Sequence, residues 1–323
     1  YDPVDEAAVV RRVGGVDGCG HAGNLAASPR GPGILGQMAR VTAMSADTRQ
    51  LEDAGLRDVH IPSGLRPYVA AMWSRRSYVW YVARSTLREK QMNSVLGNIW
   101  HLLNPLLQIA VYYVIFGVVL EVDRGVDNFI TFLAIGTLAY TFCQRSTLSG
   151  AGSIVKNLGL VRAVEFPRAV LPFTSTLTET LSMLPSLLVI GVVAVVTGET
   201  PSPRWLLLIP VMGVLAVFNL GTALFAARAT SVVRDVEQIL PFVFRILLYA
   251  SGVLFSAAEF AEGSYRWFFT LNPVYAFLTI ARWTILGSDV SLSLLLSAGI
   301  WTVVLTVTGF LWFRAGEASY GRS

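Results

Sequence analysis

The sequence predicts an all-α membrane protein: six transmembrane helices, an N-terminal amphipathic interface helix, and short re-entrant helices before the last span. Three observations lead to this fold class. Of the 323 residues, 54% are hydrophobic and only 14% are charged, whereas soluble domains carry about 25% charged residues. The apolar residues fall into blocks of about 20, long enough to cross a bilayer. Arg and Lys are concentrated in alternate loops, which gives a consistent topology.

Residues 1–60 contain much Gly, Ala and charge, and no continuous apolar run. They lack the apolar core of a signal peptide. Two interpretations stay open: a flexible cytoplasmic tail, or a leader over residues 1–43 that precedes a start at Met44. Cys19 and Cys143 lie far apart and form no CxxC pair, which argues against a disulfide framework or a zinc site.

Residues 61–92 are predicted to form an amphipathic interface or gate helix. On a helical wheel, eight apolar side chains share an arc of roughly 120°, the width of an amphipathic stripe: Leu65, Val69, Met72, Trp73, Val79, Trp80, Ala83 and Leu87. Arg76 falls inside this arc, whereas Arg75, Arg84 and Arg88 lie off it. A Trp-bearing apolar face opposite an Arg-rich face is typical of a helix in the membrane interface. The alternative is a solvated basic helix.

A permease domain over residues 93–320 contains the six predicted spans. They cover about residues 95–120, 129–142, 169–196, 205–227, 239–257 and 292–312. The second is short, and we expect its helix to continue past Arg145.

The loops predict the orientation. The loop between spans two and three carries Arg145, Lys156, Arg162 and Arg168, whereas residues 121–128 hold three acids and one Arg. Because basic loops stay in the cytoplasm, we expect both termini on the cytoplasmic side of the plasma (inner) membrane.

Residues 264–287 are apolar, but the charge pattern of the loops predicts that they lie on the external side of the membrane. Pro273 disfavours a helical conformation for Asn272 and so breaks the segment. We expect two short helices, within about 260–287, that dip into the membrane from outside.

Two ionisable residues fall inside predicted spans. Glu179 lies about ten residues into the third span and Arg245 about six into the fifth, a depth of roughly 10–15 Å. Charges at such depth face a partner or a wet cavity, so the two are predicted to pair or to border a translocation path. Alternatively, Arg245 reaches the headgroups.

The first span begins with a polar stretch, "LGNIWHLLNPL". Pro105 removes a backbone hydrogen bond and can kink the helix. His101 and Asn104 should face protein or water, because unpaired polar groups in hydrocarbon are costly. Aromatic rings stack on sugars, and the candidate channel aromatics are Trp100, Tyr112, Tyr113, Phe116, Tyr140 and Phe142. Packing within the membrane is the alternative explanation for each ring.

Enzyme motifs are absent from the sequence. A P-loop needs GxxxxGK followed by Ser or Thr, but Lys90 precedes Gln and Lys156 precedes Asn. No Asp-x-Asp, HExxH or GxSxG occurs either. These residues therefore give no support to an enzyme, and we expect no cofactor, metal or nucleic-acid partner for this chain; a membrane glycosyltransferase is the remote alternative.

Five motifs follow the basic helix in order: "SVLGNIWHLLNPLLQIAVYYVIFG", "NLGLVRAVEFPRAVLP", "SVVRDVEQILPF", "LNPVYAFLTIARWTILG" and "FRAGEASYG". From about residue 66 to 320, this pattern resembles the permease subunit of polysaccharide ABC exporters of the Wzm type. Teichoic-acid exporters share it. The Arg-rich composition is most like that of the mycobacterial permease that exports lipid-linked galactan.

The resemblance implies a homodimer in contact with membrane lipids and with two copies of a separate ABC ATPase, which binds ATP and Mg²⁺. The substrate would be a glycan linked to polyprenyl pyrophosphate, cell-wall galactan in the closest case; teichoic acid, drugs or lipids are alternatives. A coupling helix over about 153–165 would contact the ATPase through Ile154, Lys156, Asn157, Leu158, Leu160, Arg162 and Glu165.

The resemblance also implies a site for the substrate's pyrophosphate, since guanidinium groups suit phosphate oxygens. Its candidates are Arg75, Arg76, Arg84, Arg88 and Lys90. One departure concerns the fifth span, where Ser251-Gly252-Val253 replaces the Ser-Pro-Val of related permeases. A bend at the same place is therefore in question.

Overall fold

The computed structural model describes residues 64–92, 99–121, 126–164, 166–256, 266–317 and Tyr320, and within these ranges it is helical without β-strands. The predicted tail over residues 1–60 lies outside the described residues.

The amphipathic segment forms two helices rather than the single helix predicted: α1, Leu65–Ser74, and α2, Arg76–Met92. The break is at Arg75 (φ −94°, ψ 11°), whose amide bonds back to the Met72 carbonyl, three residues earlier. We call α1 and α2 the interface helices.

The break changes which side chains of the interface helices are covered. Tyr68, Val79 and Ala83 are buried, whereas Trp73 and Trp80 remain exposed. The predicted apolar stripe is therefore only partly the face that packs on the rest of the protein.

Six longer helices occupy the predicted spans. They are α3 (Ile99–Tyr112, continuing as a π-helix over Tyr113–Val119), α4 (Phe129–Ala151), α6 (Val170–Val196), α7 (Leu208–Val232, after a 3-10 turn Pro203–Leu207), α8 (Val236–Ala250) and α11 (Leu292–Ala315). The continuation of the second helix past Arg145 is confirmed. By length and apolar composition, three stretches of the described chain can cross a membrane: Val170–Val196, Pro203–Val232 and Leu292–Ala315. The count of six spans stays a prediction.

Helix α4 is the centre of the bundle. Every residue from 131 to 140 is buried, and the helix packs against α6, α7 and α10. Glycines bring α7 and α11 into backbone contact: a Cβ on Gly309 would lie 2.6 Å from the Gly221 carbonyl oxygen. Such small-residue contacts hold membrane helices together by close packing.

The break at Asn272-Pro273 is present. Helix α9 spans Arg266–Leu271 and α10 spans Pro273–Leu286. The Asn272 side chain accepts the amide hydrogens of Val274 and Tyr275, as an N-cap does, and Pro273 occupies the first helical position, where it lacks no needed donor. Helix α10 packs against α4, α7 and α11. That α9 and α10 dip into a membrane from outside stays a prediction.

Candidate functional site

The segment between α4 and α6, which we call the coupling segment (residues 153–165), forms a 3-10 turn, Val155–Asn157, and a short helix α5, Leu158–Ala163. Lys156, Asn157 and Arg162 are exposed, and Leu158 and Leu160 are half-buried. Glu165 lies outside the described residues. Ile154 was also predicted to contact a partner, but it is 2% exposed; its side chain anchors the segment from within.

The coupling segment is attached to the first turn of α8. Lys156 Nζ lies 3.1 Å from Glu237 Oε1. Because Lys156 is largely exposed, this ion pair contributes little to stability, about 0–1 kcal/mol. Its consequence is positional: it joins the coupling segment to the motif "SVVRDVEQILPF".

The coupling segment also contacts the interface helices. Arg75 and Tyr78 line a cavity of about 120 Å³ with Leu160, Val164 and Phe166. The Arg75 guanidinium carbon is 5.8 Å from the centre of the Phe166 ring. Arg75 therefore packs on Phe166, the residue after the coupling segment, beside Leu160 and Val164 of the segment itself. It is separate from the other arginines proposed to bind phosphate.

Three of those arginines share a groove along α2, which we call the arginine groove. It measures about 610 Å³ and is lined by Arg76, Ser77, Trp80, Tyr81, Arg84, Ser85 and Arg88. Arg84 is held with its guanidinium carbon 5.5 Å from the Trp80 ring centre. The Lys90 side chain lies outside the described residues.

The chemistry of the arginine groove suits an anion. None of the described residues that line it is acidic. Guanidinium groups bind phosphate oxygens through charge-assisted, often bidentate hydrogen bonds. The Ser77 hydroxyl adds a donor, whereas the Ser85 hydroxyl donates to the Val82 carbonyl at 3.0 Å. An arrangement of this kind can hold a phosphate or pyrophosphate group.

A second, polar pocket lies where α3, α4 and α6 meet. Its lining includes Gln108, Arg145, Glu179, Ser182 and Ser186. Glu179 is 7% exposed, so a buried acid faces a polar cavity as predicted for an ionisable group in a span. In the sequence, Arg145 was considered only as a basic residue that predicts the orientation. Because α4 continues past this residue, its side chain lines the polar pocket.

The other predicted charge lies elsewhere. Arg245 is exposed on α8, with its guanidinium carbon 5.7 Å from the Phe242 ring centre. It does not line the polar pocket, whose arginine is Arg145. The structure thus brings Arg145, and not Arg245, to the pocket of Glu179.

The candidate channel aromatics divide into two groups. Tyr140 and Phe142 are buried in the core of the bundle, and the Tyr140 hydroxyl donates to the Phe244 carbonyl. Phe142 also borders the polar pocket.

The remaining candidates lie on α3 and its π-helical continuation. Tyr112, Tyr113 and Phe116 are half-buried, whereas Trp100 and Asn104 are exposed. The His101 side chain lies outside the described residues. Packing accounts for Tyr140 and Phe142, and the α3 residues are the accessible ones.

Sequence reasoning missed Arg282, which is 4% exposed in the middle of α10. Its two terminal nitrogens donate to the carbonyls of Gly252 (3.0 Å) and Val253 (2.9 Å), and its guanidinium carbon lies 3.4 Å from the Phe132 ring centre. A lone charge inside an apolar helix was the available signal.

Arg282 stabilises the turn at which α8 ends. Gly252 has φ +58°, a left-handed conformation that Gly adopts at little cost. Asn272 donates to the Ala250 carbonyl and the Ser251 hydroxyl. The chain therefore does bend at Ser251-Gly252-Val253, and α8 ends at Ala250 instead of near residue 257 as predicted.

The sequence model of the family described as ABC-2 type transporter matches residues 77–286, about two thirds of the chain. This range begins in α2 and ends in α10, so it contains the coupling segment, the polar pocket, Arg282 and every lining residue of the arginine groove except Arg76.

The chain is also similar to individual permeases. One O-antigen export system permease protein RfbA from Klebsiella pneumoniae is 27% identical over 237 residues, 72% of this chain and 89% of that protein. A second from Klebsiella pneumoniae is 25% identical over 234 residues, 72% and 89% of the two chains. One from Myxococcus xanthus is 26% identical over 212 residues, 65% and 81%.

Proposed function

The chain belongs to the ABC-2 type transporter family, and we propose that it is the membrane subunit of an ATP-driven exporter of a polysaccharide linked to polyprenyl pyrophosphate. The relatives named as O-antigen export permeases support the polysaccharide class. The observation that carries the proposal is the arginine groove on α2. A pyrophosphate-linked polymer needs an anion site where it is loaded, and three guanidinium groups beside the Ser77 hydroxyl provide one.

Two copies of a separate ABC ATPase supply the energy in this proposal and hold ATP and Mg²⁺. The exposed side chains of the coupling segment, Lys156, Asn157 and Arg162, form the surface that meets the ATPase. Movement of this segment reaches the arginine groove through Arg75, which packs on Phe166, the residue directly after the segment, and lies beside Leu160 and Val164.

The glycan would then pass between two copies of this chain. Glu179 and Arg145 lie on the predicted cytoplasmic half of the bundle and offer polar contacts to sugar hydroxyls. Trp100 and Asn104 are exposed on α3 and provide an aromatic and a polar surface along the same path. The Arg-rich composition makes galactan the first polymer to test.

The proposal is tested by complementation in a host depleted of the chromosomal protein. Simultaneous replacement of Arg76, Arg84 and Arg88 by Gln should leave the protein in the membrane but abolish export, with lipid-linked polymer retained inside. The control is Arg66→Gln, an exposed arginine on α1 outside the groove, which should export normally. Normal export by the triple variant would contradict the loading site.

A further inference from the structure

The residues that follow α11 form a buried junction around Glu317, which is 6% exposed. Its Oε1 atom accepts the Tyr68 hydroxyl at 3.1 Å and the Arg168 amide N–H at 2.6 Å. Tyr68 belongs to α1, and Arg168 lies between the coupling segment and α6. One side chain therefore joins the end of the last helix to two elements that are distant in sequence.

Further contacts close this junction. The Arg168 guanidinium donates to the backbone carbonyls of Glu317 and Tyr320. The Tyr320 hydroxyl donates to the Phe313 carbonyl at 2.8 Å, and Arg228 of α7 has its guanidinium carbon 5.4 Å from the Tyr320 ring centre. The junction thus ties α1, α7 and α11 to the start of α6.

Apolar packing continues from the junction to the coupling segment. Tyr68 and Tyr320 belong to a buried cluster that also contains Ile154, Val161 and Phe166. The interface helix α2 packs along α6. The coupling segment therefore meets the interface helices at two places: Leu160 and Val164 share a cavity with Arg75, and Ile154 and Val161 lie in the buried cluster of Tyr68.

The Glu317 side chain acts here as a hydrogen-bond acceptor more than as a charge. Both of its donors meet the same oxygen, and the Arg168 guanidinium is occupied by backbone carbonyls. An amide oxygen of the same reach can accept the same two hydrogen bonds, whereas a methyl group cannot.

We propose that Glu317 is a positioning residue for export: it fastens α1 to the start of α6, so that movement of the coupling segment carries the arginine groove with it. This inference rests on the proposed function. It assigns a role to the C-terminal motif "FRAGEASYG", which otherwise contributes nothing to the loading site.

The first test measures hydrogen exchange over residues 65–92 in the full chain in lipid nanodiscs. Glu317→Ala should speed exchange there about tenfold or more, because the segment opens locally without its anchor. Tyr68→Phe, which removes only the hydroxyl, should also speed exchange over these residues, but by a smaller factor. Glu317→Gln should exchange no faster than the wild type.

The matched control is Glu199→Ala. Glu199 also accepts a side-chain hydrogen bond, from Asn128 at 3.0 Å, but it lies between α6 and α7, at the other end of α6 from Arg168. Its removal should leave exchange over residues 65–92 unchanged. Unchanged exchange in both Glu317→Ala and Tyr68→Phe would overturn the inference.

The second test compares polymer export with ATP hydrolysis in the transporter assembled with its ATPase. Glu317→Ala should lower export at least about fivefold while ATP hydrolysis persists, and Glu317→Gln should restore export, since a hydrogen bond rather than a charge is required. Faster exchange with unchanged export would overturn the positioning role. Absence of export by the wild type would instead reject the proposed function. The exchange experiment would still test whether Glu317 fastens α1 to the start of α6.

Discussion

At the scale of single residues, Arg282 shows how a buried cation is accommodated by carbonyls and a ring; no carboxylate pairs with it within the residues that the structure describes. Its partners there are the carbonyls of Phe132, Gly252 and Val253 and the ring of Phe132. A buried charge is costly unless its donors are satisfied, and carbonyls left at a helix end are costly unless they find donors. The guanidinium group therefore needs the carbonyls as acceptors, and the carbonyls need the guanidinium group as a donor.

Arg282→Lys is expected to destabilise the protein markedly. A lysine cannot donate to two carbonyls through a planar fork, so at least one buried carbonyl loses its partner, at a cost of about 1–3 kcal/mol. Thermal unfolding in detergent should show a lower midpoint than for Arg88→Lys, an exposed control on α2. Equal midpoints would mean that the fork geometry is unimportant.

Glu317 predicts a pH dependence of stability. Burial raises the pKa of its carboxyl, although hydrogen bonds from Arg168 and Tyr68 and the charges of Arg168 and Arg314 act to lower it. The folded state therefore favours the protonated acid. This contribution is fully present below the unfolded pKa of about 4.3 and is lost as the pH rises through the higher folded pKa.

Glu317→Gln should accordingly unfold at a higher temperature than the wild type at about pH 7, with the difference shrinking towards about pH 4.5. The amide mimics the protonated acid and carries no penalty for ionisation. Thermal unfolding of both proteins across this range checks the prediction. A difference that grew as the pH fell would show that the ionised form is the stabilising one.

At the scale of elements, the packing of α7 on α11 depends on glycine. A Cβ at Gly309 would lie 2.6 Å from the Gly221 carbonyl oxygen, a backbone atom that cannot swing aside. At Gly299, on the same helix, a Cβ would meet nothing within 4 Å. The two positions offer a matched comparison of one substitution in one helix.

Gly309→Ala should lower stability by about 1–3 kcal/mol, the usual cost of overpacking. Gly299→Ala should be neutral or slightly stabilising, because Ala favours a helix over Gly. Unfolding of both variants in the same detergent provides the measurement. A Gly309→Ala protein as stable as Gly299→Ala would show that the two helices can separate without cost.

At the scale of the whole molecule, periodicity and composition predicted the helical class, the continuation of α4 and the break at Asn272. They did not predict the break at Arg75, the turn after Ala250 or the junction at Glu317. The turn after Ala250 and the junction at Glu317 depend on donors and acceptors from distant parts of the chain, as Arg282 and Gly252 illustrate, whereas the Arg75 amide bonds back locally to Met72. Local patterns also could not separate Ile154, which is buried, from its exposed neighbours in the coupling segment.

The burial pattern of the coupling segment predicts which of its side chains contact the ATPase. A cysteine at Asn157, which is exposed, should form cross-links to the ATPase in membranes that contain both subunits. A cysteine at Ile154 should not, because that side chain is 2% exposed. The native Cys143 is buried, and both variants also carry Cys19→Ser, so that neither native cysteine interferes. Cross-links from position 154 alone would contradict the proposed docking face.

The central claim, export of a lipid-linked polysaccharide, is tested most directly by depleting the protein in its native host and locating the lipid-linked glycans. We expect one full-length polymer to accumulate on the cytoplasmic side of the membrane, and its sugars would identify the substrate. Depletion without glycan accumulation and with a normal cell wall would contradict the account and favour an exporter of small molecules or lipids.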